Sequence, residues 1–205
     1  MIRARHTKFM VKFSSFYTKV LISIFFGGIK YSGHYEEKGL PILIISNHFS
    51  FYDGFIQILL NLKVFKRRLH FMMLEKELRK NIWLTKIGAC SISKGKRSSL
   101  ESLEYAVEVL EDPENLFLFF PQGKIQSLYT REFTFEKGLL SNILENKKRE
   151  FQLVFNINLI KYGTNIRPVI YAYYETQHIT AETDAEAVEI AFNRFAKACF
   201  TKQGA

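Results

Sequence analysis

The sequence predicts an α/β fold: a single domain whose mixed, largely parallel sheet is flanked by helices, preceded by an N-terminal amphipathic helix that contacts a membrane. Three observations carry this. Short aliphatic runs alternate with longer stretches of helical periodicity, the arrangement of parallel strands joined by helices. The 205 residues suit one domain, and 47% hydrophobic residues supply a core without disulfide or metal support. No internal repeat, low-complexity tract or Pro/Gly/Ser-rich linker divides the chain. We therefore separate residues 1–30, the helix, from residues 31–205, the α/β domain.

The net charge of +9 is concentrated at the start, where Arg3, Arg5, Lys8, Lys12, Lys19 and Lys30 precede the first acid, Glu36. Such a patch attracts nucleic acid or anionic lipid. Residues 8–29 decide between them. Lys8, Lys12, Ser15, Lys19 and Ser23 form one polar helical stripe, and Phe9, Phe13, Phe16, Val20 and Ile24 cover the rest. A broad apolar face beside a line of lysines matches a helix lying in a membrane interface. A helix packed on the domain's own core is the competing reading. The apolar part is shorter than the ~20 residues a spanning helix needs. Gly27-Gly28-Ile29-Lys30 is a poor signal-peptide cleavage site. No nucleic-acid-binding module is recognisable. The two cysteines, Cys90 and Cys199, form no metal-type cluster and fit a reducing compartment. The expectation is a peripheral or monotopic protein on the cytoplasmic face of a membrane.

Residues 33–39 read as a hairpin-like or loop connection into a strand at 41–46. Beyond Asp53, the positions of Phe55, Ile56, Leu59 and Leu60 mark a helix ending near Asn61. A strand at 69–74, a helical stretch at 75–84 and a short strand at 88–93 follow. The next helix has the cleanest periodicity. Leu100, Leu103, Val107 and Leu110 form its buried stripe, Glu101, Glu104, Glu108 and Glu111 its wet one, and Ser98 or Ser99 its cap. The all-apolar strand at 116–120 belongs in the middle of the sheet. Pro121-Gln122-Gly123 breaks it. A helix at 135–148, strands at 151–160 and 167–174, and a helix at 184–200 complete the chain.

Two patterns fall at strand ends, where ligands and catalytic groups gather in α/β folds. Asn47-His48-Phe49-Ser50-Phe51-Tyr52-Asp53 places an aspartate five residues after a histidine. That pair is a base with its orienter, or equally a turn with a helix cap. Phe119-Phe120-Pro121-Gln122-Gly123 closes the fourth strand. Asn47-His48-x-Ser50-x-x-Asp53 resembles the first signature block, N-H-x-x-x-x-D, of the glycerolipid acyltransferases of the lysophosphatidate acyltransferase type. Phe120-Pro121-Gln122-Gly123 is similar to their third block, F-P-E-G. Gly88-x-x-x-Ile92-x-Lys94 resembles the second, and Phe135-x-Lys137-Gly138 matches a common element after the third. The resemblance spans residues 40–175.

The resemblance implies transfer of a fatty acyl group from a thioester, acyl-CoA or acyl carrier protein, to the hydroxyl of a lipid acceptor, with no bound cofactor and no metal. It casts His48 as general base and Asp53 as its orienter. It sets Asn47, Ser50, Lys94, Phe120, Pro121, Gln122, Gly123 and Lys124 at the substrates. The residue chemistry agrees, because a hydroxyl is too weak an acid to attack unaided and an imidazole can take its proton near pH 7. The lack of a Gly-x-Ser-x-Gly elbow fits direct attack without an acyl-enzyme. The departures concern the acceptor. The family's arginine, expected on the acceptor's phosphate, aligns with Ile125, and Gln122 replaces glutamate. Lys124 offers a point charge without the bidentate fork. Leu153-Val154-Phe155-Asn156-Ile157 lacks the proline of the family's V-P-V-like strand. The expected acceptor is therefore a lipid alcohol without a phosphomonoester more than lysophosphatidate itself. The expected partners are a membrane lipid surface, the thioester donor and the lipid acceptor, not nucleic acid. The alternative is a catalytically silent lipid-binding relative at the membrane.

Overall fold

The unbroken apolar runs form the middle of a seven-stranded sheet. The computed structural model describes residues 1–93, 96–136, 138–164, 166–180 and 183–204, except the side chains of residues 96–99 and 139. Its strands are β1 (Ile29–His34), β2 (Ile42–Ser46), β3 (Arg68–Leu74), β4 (Ala89–Ile92), β5 (Asn115–Phe119), β6 (Gln152–Lys161) and β7 (Val169–Gln177), in the spatial order β1-β7-β6-β2-β5-β3-β4. From β6 to β4 the neighbours are parallel. β7 pairs antiparallel with β6, and β1 parallel with β7. The sheet is thus mixed and largely parallel, as expected. Every residue of β2 and β5 is buried because helices cover both faces. Alternate β2 residues serve separate cores. Ile42 and Ile44 pack with Leu60 and Phe65, while Leu43 and Ile45 pack with Leu103, Ile143 and Phe192.

The helices are α1 (Lys8–Phe25), α2 (Asp53–Leu60), α3 (Glu75–Lys80), α4 (Lys96–Val109), α5 (Leu139–Glu145) and α6 (Ala185–Gly204). Several boundaries differ from expectation for identifiable reasons. Residues 29–34 are a strand, not helix end and loop. β1 is an edge strand with only Ile29 and Tyr31 half-covered, so its alternation is faint. The stretch at 75–84 divides into α3 and a separate 3-10 turn at Ile82–Ile87. α4 begins at Lys96, so Ser98 and Ser99 lie inside its first turn. Leu100 is 49% exposed, and its expected place in the buried stripe is taken by Ser102, whose Oγ donates to the Ser91 carbonyl at 2.8 Å. α5 starts only after Gly138 (φ 86°). Phe133 and Phe135 precede it in irregular chain and pack edge-on against Phe192 of α6.

The N-terminal region is tied to both margins of the sheet. Residues 2–7 run beside β4, with the Ile2 N–H on Ser91 Oγ at 2.7 Å and the Ser91 N–H on the Ile2 carbonyl at 2.9 Å. The Arg5 and Thr7 N–H groups donate to the carbonyls of Thr85 and Lys86. The His6 ring lies 4.6 Å from that of His70 on β3. At the other end, the Gly27 N–H donates to the Pro168 carbonyl at 2.8 Å, next to β7. Between these ties α1 packs on α2 through a narrow seam, burying Ser14, Thr18 and Ile22. Its large apolar side chains face outward, with Phe9 74% and Phe16 66% exposed. Among the described residues, no helix is long and apolar enough to cross a membrane.

Candidate active site

β2 ends at Ser46, and the seven residues after it carry the first block. Asp53, the first residue of α2, is fully buried. Its Oδ2 lies 2.7 Å from His48 Nδ1 and also accepts the N–H groups of Phe49 (2.7 Å) and Ser50 (2.9 Å). Its Oδ1 accepts the Ser50 hydroxyl at 3.1 Å. The loop-closing contacts and the contact to the imidazole therefore belong to one carboxylate. The helix-cap reading does not hold, since Tyr52 is the N-cap and Asp53 is the first helical residue, bonded to N–H groups that precede it. An ionised carboxylate only accepts, which puts the imidazole proton on Nδ1 and leaves the Nε2 lone pair free to take another. The His48 side chain is 25% exposed, and its ring stacks on Phe120 with centroids 4.3 Å apart.

The third block holds the same histidine by its backbone. Gln122 is buried, and its Oε1 accepts the His48 N–H at 2.7 Å. Its Nε2 donates to Gln126 Oε1, and the Gln126 N–H donates to the His48 carbonyl at 2.9 Å. Both polar groups of the His48 backbone are thus fixed by one loop. Gly123 makes the turn at φ 63°, a conformation side chains rarely adopt. The carbonyl of the buried Pro121 accepts the Glu136 N–H at 2.7 Å. Lys124 and Ile125 are exposed.

Asn47 faces the other way. Its Nδ2 donates to the Asn158 carbonyl at 3.0 Å and its Oδ1 accepts the Asn158 N–H at 2.8 Å, so the side-chain amide extends the β2–β6 pairing by one rung. Beneath it lies a closed, buried network. Ser46 Oγ donates to Asn156 Oδ1 (2.8 Å) and accepts from Gln57 Nε2 (2.9 Å). Asn158 Nδ2 also donates to Asn156 Oδ1 (2.8 Å), and Asn156 Nδ2 donates to the Tyr173 carbonyl (2.8 Å). A satisfied network of this kind fixes geometry without the penalty of orphaned polar atoms.

Of the residues expected at the site, His48, Ser50, Asp53, Phe120, Pro121, Gln122 and Gly123 come together, with Lys124 at the rim. Lys94 lies outside the described residues, as does Lys137. Asn47 and Gln122 are buried, each anchoring the loop that bears His48. Sequence reasoning missed Gln57, Gln126, Asn156, Asn158 and Glu136. The asparagines left a signal, two amides on one face of an otherwise apolar strand. Gln126 and Glu136 left none.

The family comparison agrees with this arrangement. A family model described as Acyltransferase matches residues 28–172, a stretch that takes in both blocks and the sheet from β1 into β7. No curated protein matches the chain. Since that stretch is most of the chain, the protein belongs to the acyltransferase family, the acyl-transferring glycerolipid enzymes that include the lysophosphatidate acyltransferases.

Proposed function

We propose that the protein transfers a fatty acyl group from a thioester, acyl-CoA or acyl carrier protein, to the hydroxyl of a lipid acceptor at the cytoplasmic face of a membrane. The observation that carries this is the 2.7 Å contact between His48 Nδ1 and the buried Asp53, with Nε2 left free at the carboxyl end of the sheet. Nε2 takes the proton as the acceptor oxygen attacks the thioester carbonyl. Asp53 stabilises the imidazolium that results. Collapse of the tetrahedral intermediate breaks the C–S bond, and the imidazolium returns its proton to the departing thiolate. The products are an ester and a free thiol, with no acyl-enzyme. Ile125 at the position of the family's arginine favours an acceptor without a phosphomonoester. The outward aromatic face of α1, flanked by the exposed Lys8, Lys12 and Lys19, supports docking on anionic lipid.

His48→Ala tests the reading. Acyl transfer to lipid acceptors, assayed with both donor types, should fall by about three orders of magnitude or more. Undiminished transfer would remove the mechanism. Lipid mass spectrometry of cells with and without the gene then identifies the acylated product.

A further inference from the structure

The rim of the site carries a carboxylate that the mechanism leaves unused. Glu136 is fixed beside the third block by its N–H, which donates to the Pro121 carbonyl at 2.7 Å. Its Oε2 rests against Gly123, where an added methyl group would come within 1.8 Å of it. Among the described residues, no hydrogen bond or ion pair engages this carboxylate. Gly123 belongs to the turn whose neighbours Phe120 and Gln122 touch the ring and backbone of His48. The Glu136 carboxylate, exposed and unpaired among the described residues, therefore stands at the turn that follows the residues holding the base. Ile125, which aligns with the family's phosphate-gripping arginine, is 56% exposed and offers no compensating charge. Lys124 forms no ion pair with Glu136. A dianionic phosphate passing over Gly123 would meet like charge at Glu136, whereas an ammonium group would meet its complement.

We infer that Glu136 is a specificity-determining residue that selects an acceptor bearing an ammonium group near the reacting hydroxyl and disfavours a phosphomonoester. The inference rests on the acyl-transfer reading above and names the acceptor class that reading leaves open.

The test uses the full chain and three acceptors on one glycerol-type skeleton. Each has an acyl chain at one end and a free secondary hydroxyl in the middle. The other end carries a phosphate, a hydroxyl or a trimethylammonium group. The ratio of kcat/KM for the cationic acceptor over the phosphate acceptor should be about tenfold or more in the native chain. Glu136→Gln should lower that ratio about tenfold, and Glu136→Arg should invert it. A native preference for the phosphate acceptor, or a ratio unchanged in both variants, overturns the inference. Failure of the mechanism is distinguishable, because it appears as no turnover of any acceptor. In that event, calorimetric binding of water-soluble hexanoyl forms of the three compounds decides the matter. The cationic form should bind the native chain tightest and lose that advantage in Glu136→Gln, and equal binding overturns the inference.

Discussion

A histidine in the proposed role of general base works only if its own backbone is held still, and amide side chains hold that of His48. Gln122 accepts the His48 N–H while donating to Gln126, which in turn binds the His48 carbonyl. A carboxylate at position 122 could do the first of these but not the second. The amide is therefore suited to bridging the two loops, whatever else it contacts. Gln122→Leu would leave the His48 N–H without its acceptor at a cost of about 1–3 kcal/mol. We expect kcat to fall about tenfold to a hundredfold with KM changed less than about threefold, and Gln122→Glu to recover part of the loss. Steady-state acylation kinetics check this, and a change confined to KM would mean that Gln122 instead binds substrate directly.

At the scale of elements, α1 is the unusual one, since its inward seam is narrow, Ser14, Thr18 and Ile22, while its outward side is aromatic. A helix serving only its own domain would be turned the other way. Its rings form a connected series from Phe9 to Phe13 and Tyr17, then across to Phe55 and Phe51, with centroid separations of 5.4 to 6.5 Å. Phe51 lies between His48 and Asp53 in sequence and is 77% exposed, so the aromatic strip runs into the loop that carries His48. On the proposed docking, each phenylalanine buried in lipid contributes about 1.5–3 kcal/mol. Phe13→Asp combined with Phe16→Asp should cut co-sedimentation with anionic vesicles about tenfold or more while leaving the circular dichroism spectrum intact. Unaltered co-sedimentation would refute the docking face. The helix itself was legible from its periodicity, but its orientation was not. Both stripes read off the sequence are largely exposed, and the seam that turns toward α2 is a third line, Ser14, Thr18 and Ile22, that belongs to neither. β2 and β5 were legible because they are buried on both faces, and β1 was not because it is barely buried on either. The His48–Asp53 contact was legible because both members lie in one short loop. The Asn47–Asn158 rung joins residues 111 positions apart, and local spacing carries no trace of such a pairing.

Across the whole molecule, the N-terminal segment is a strap along the β4 margin of the sheet. Where it crosses β3, burial lowers the pKa of His6 and, together with the nearby His6, pulls His70 down to about 3. Both rings are therefore held neutral in the fold, whereas in the unfolded chain they titrate near ~6.5. Protons then bind more readily to the unfolded state, so this contribution to stability is complete above about pH 6.5 and is lost as pH falls toward His70's folded value. Urea denaturation should show about 1–3 kcal/mol of stability lost between about pH 7 and pH 4. His70→Leu should remove much of that slope, and an unaltered acid dependence in the variant would contradict the assignment. The same strapping bears on how the protein can be handled. A shortened chain beginning after Phe25 would uncover the margin of β4 and the flank of α2 together, an unpaired strand edge of the kind that drives aggregation. A well-behaved aqueous form is better sought by exchanging the outward phenylalanines for polar residues while residues 2–7 keep their place along β4.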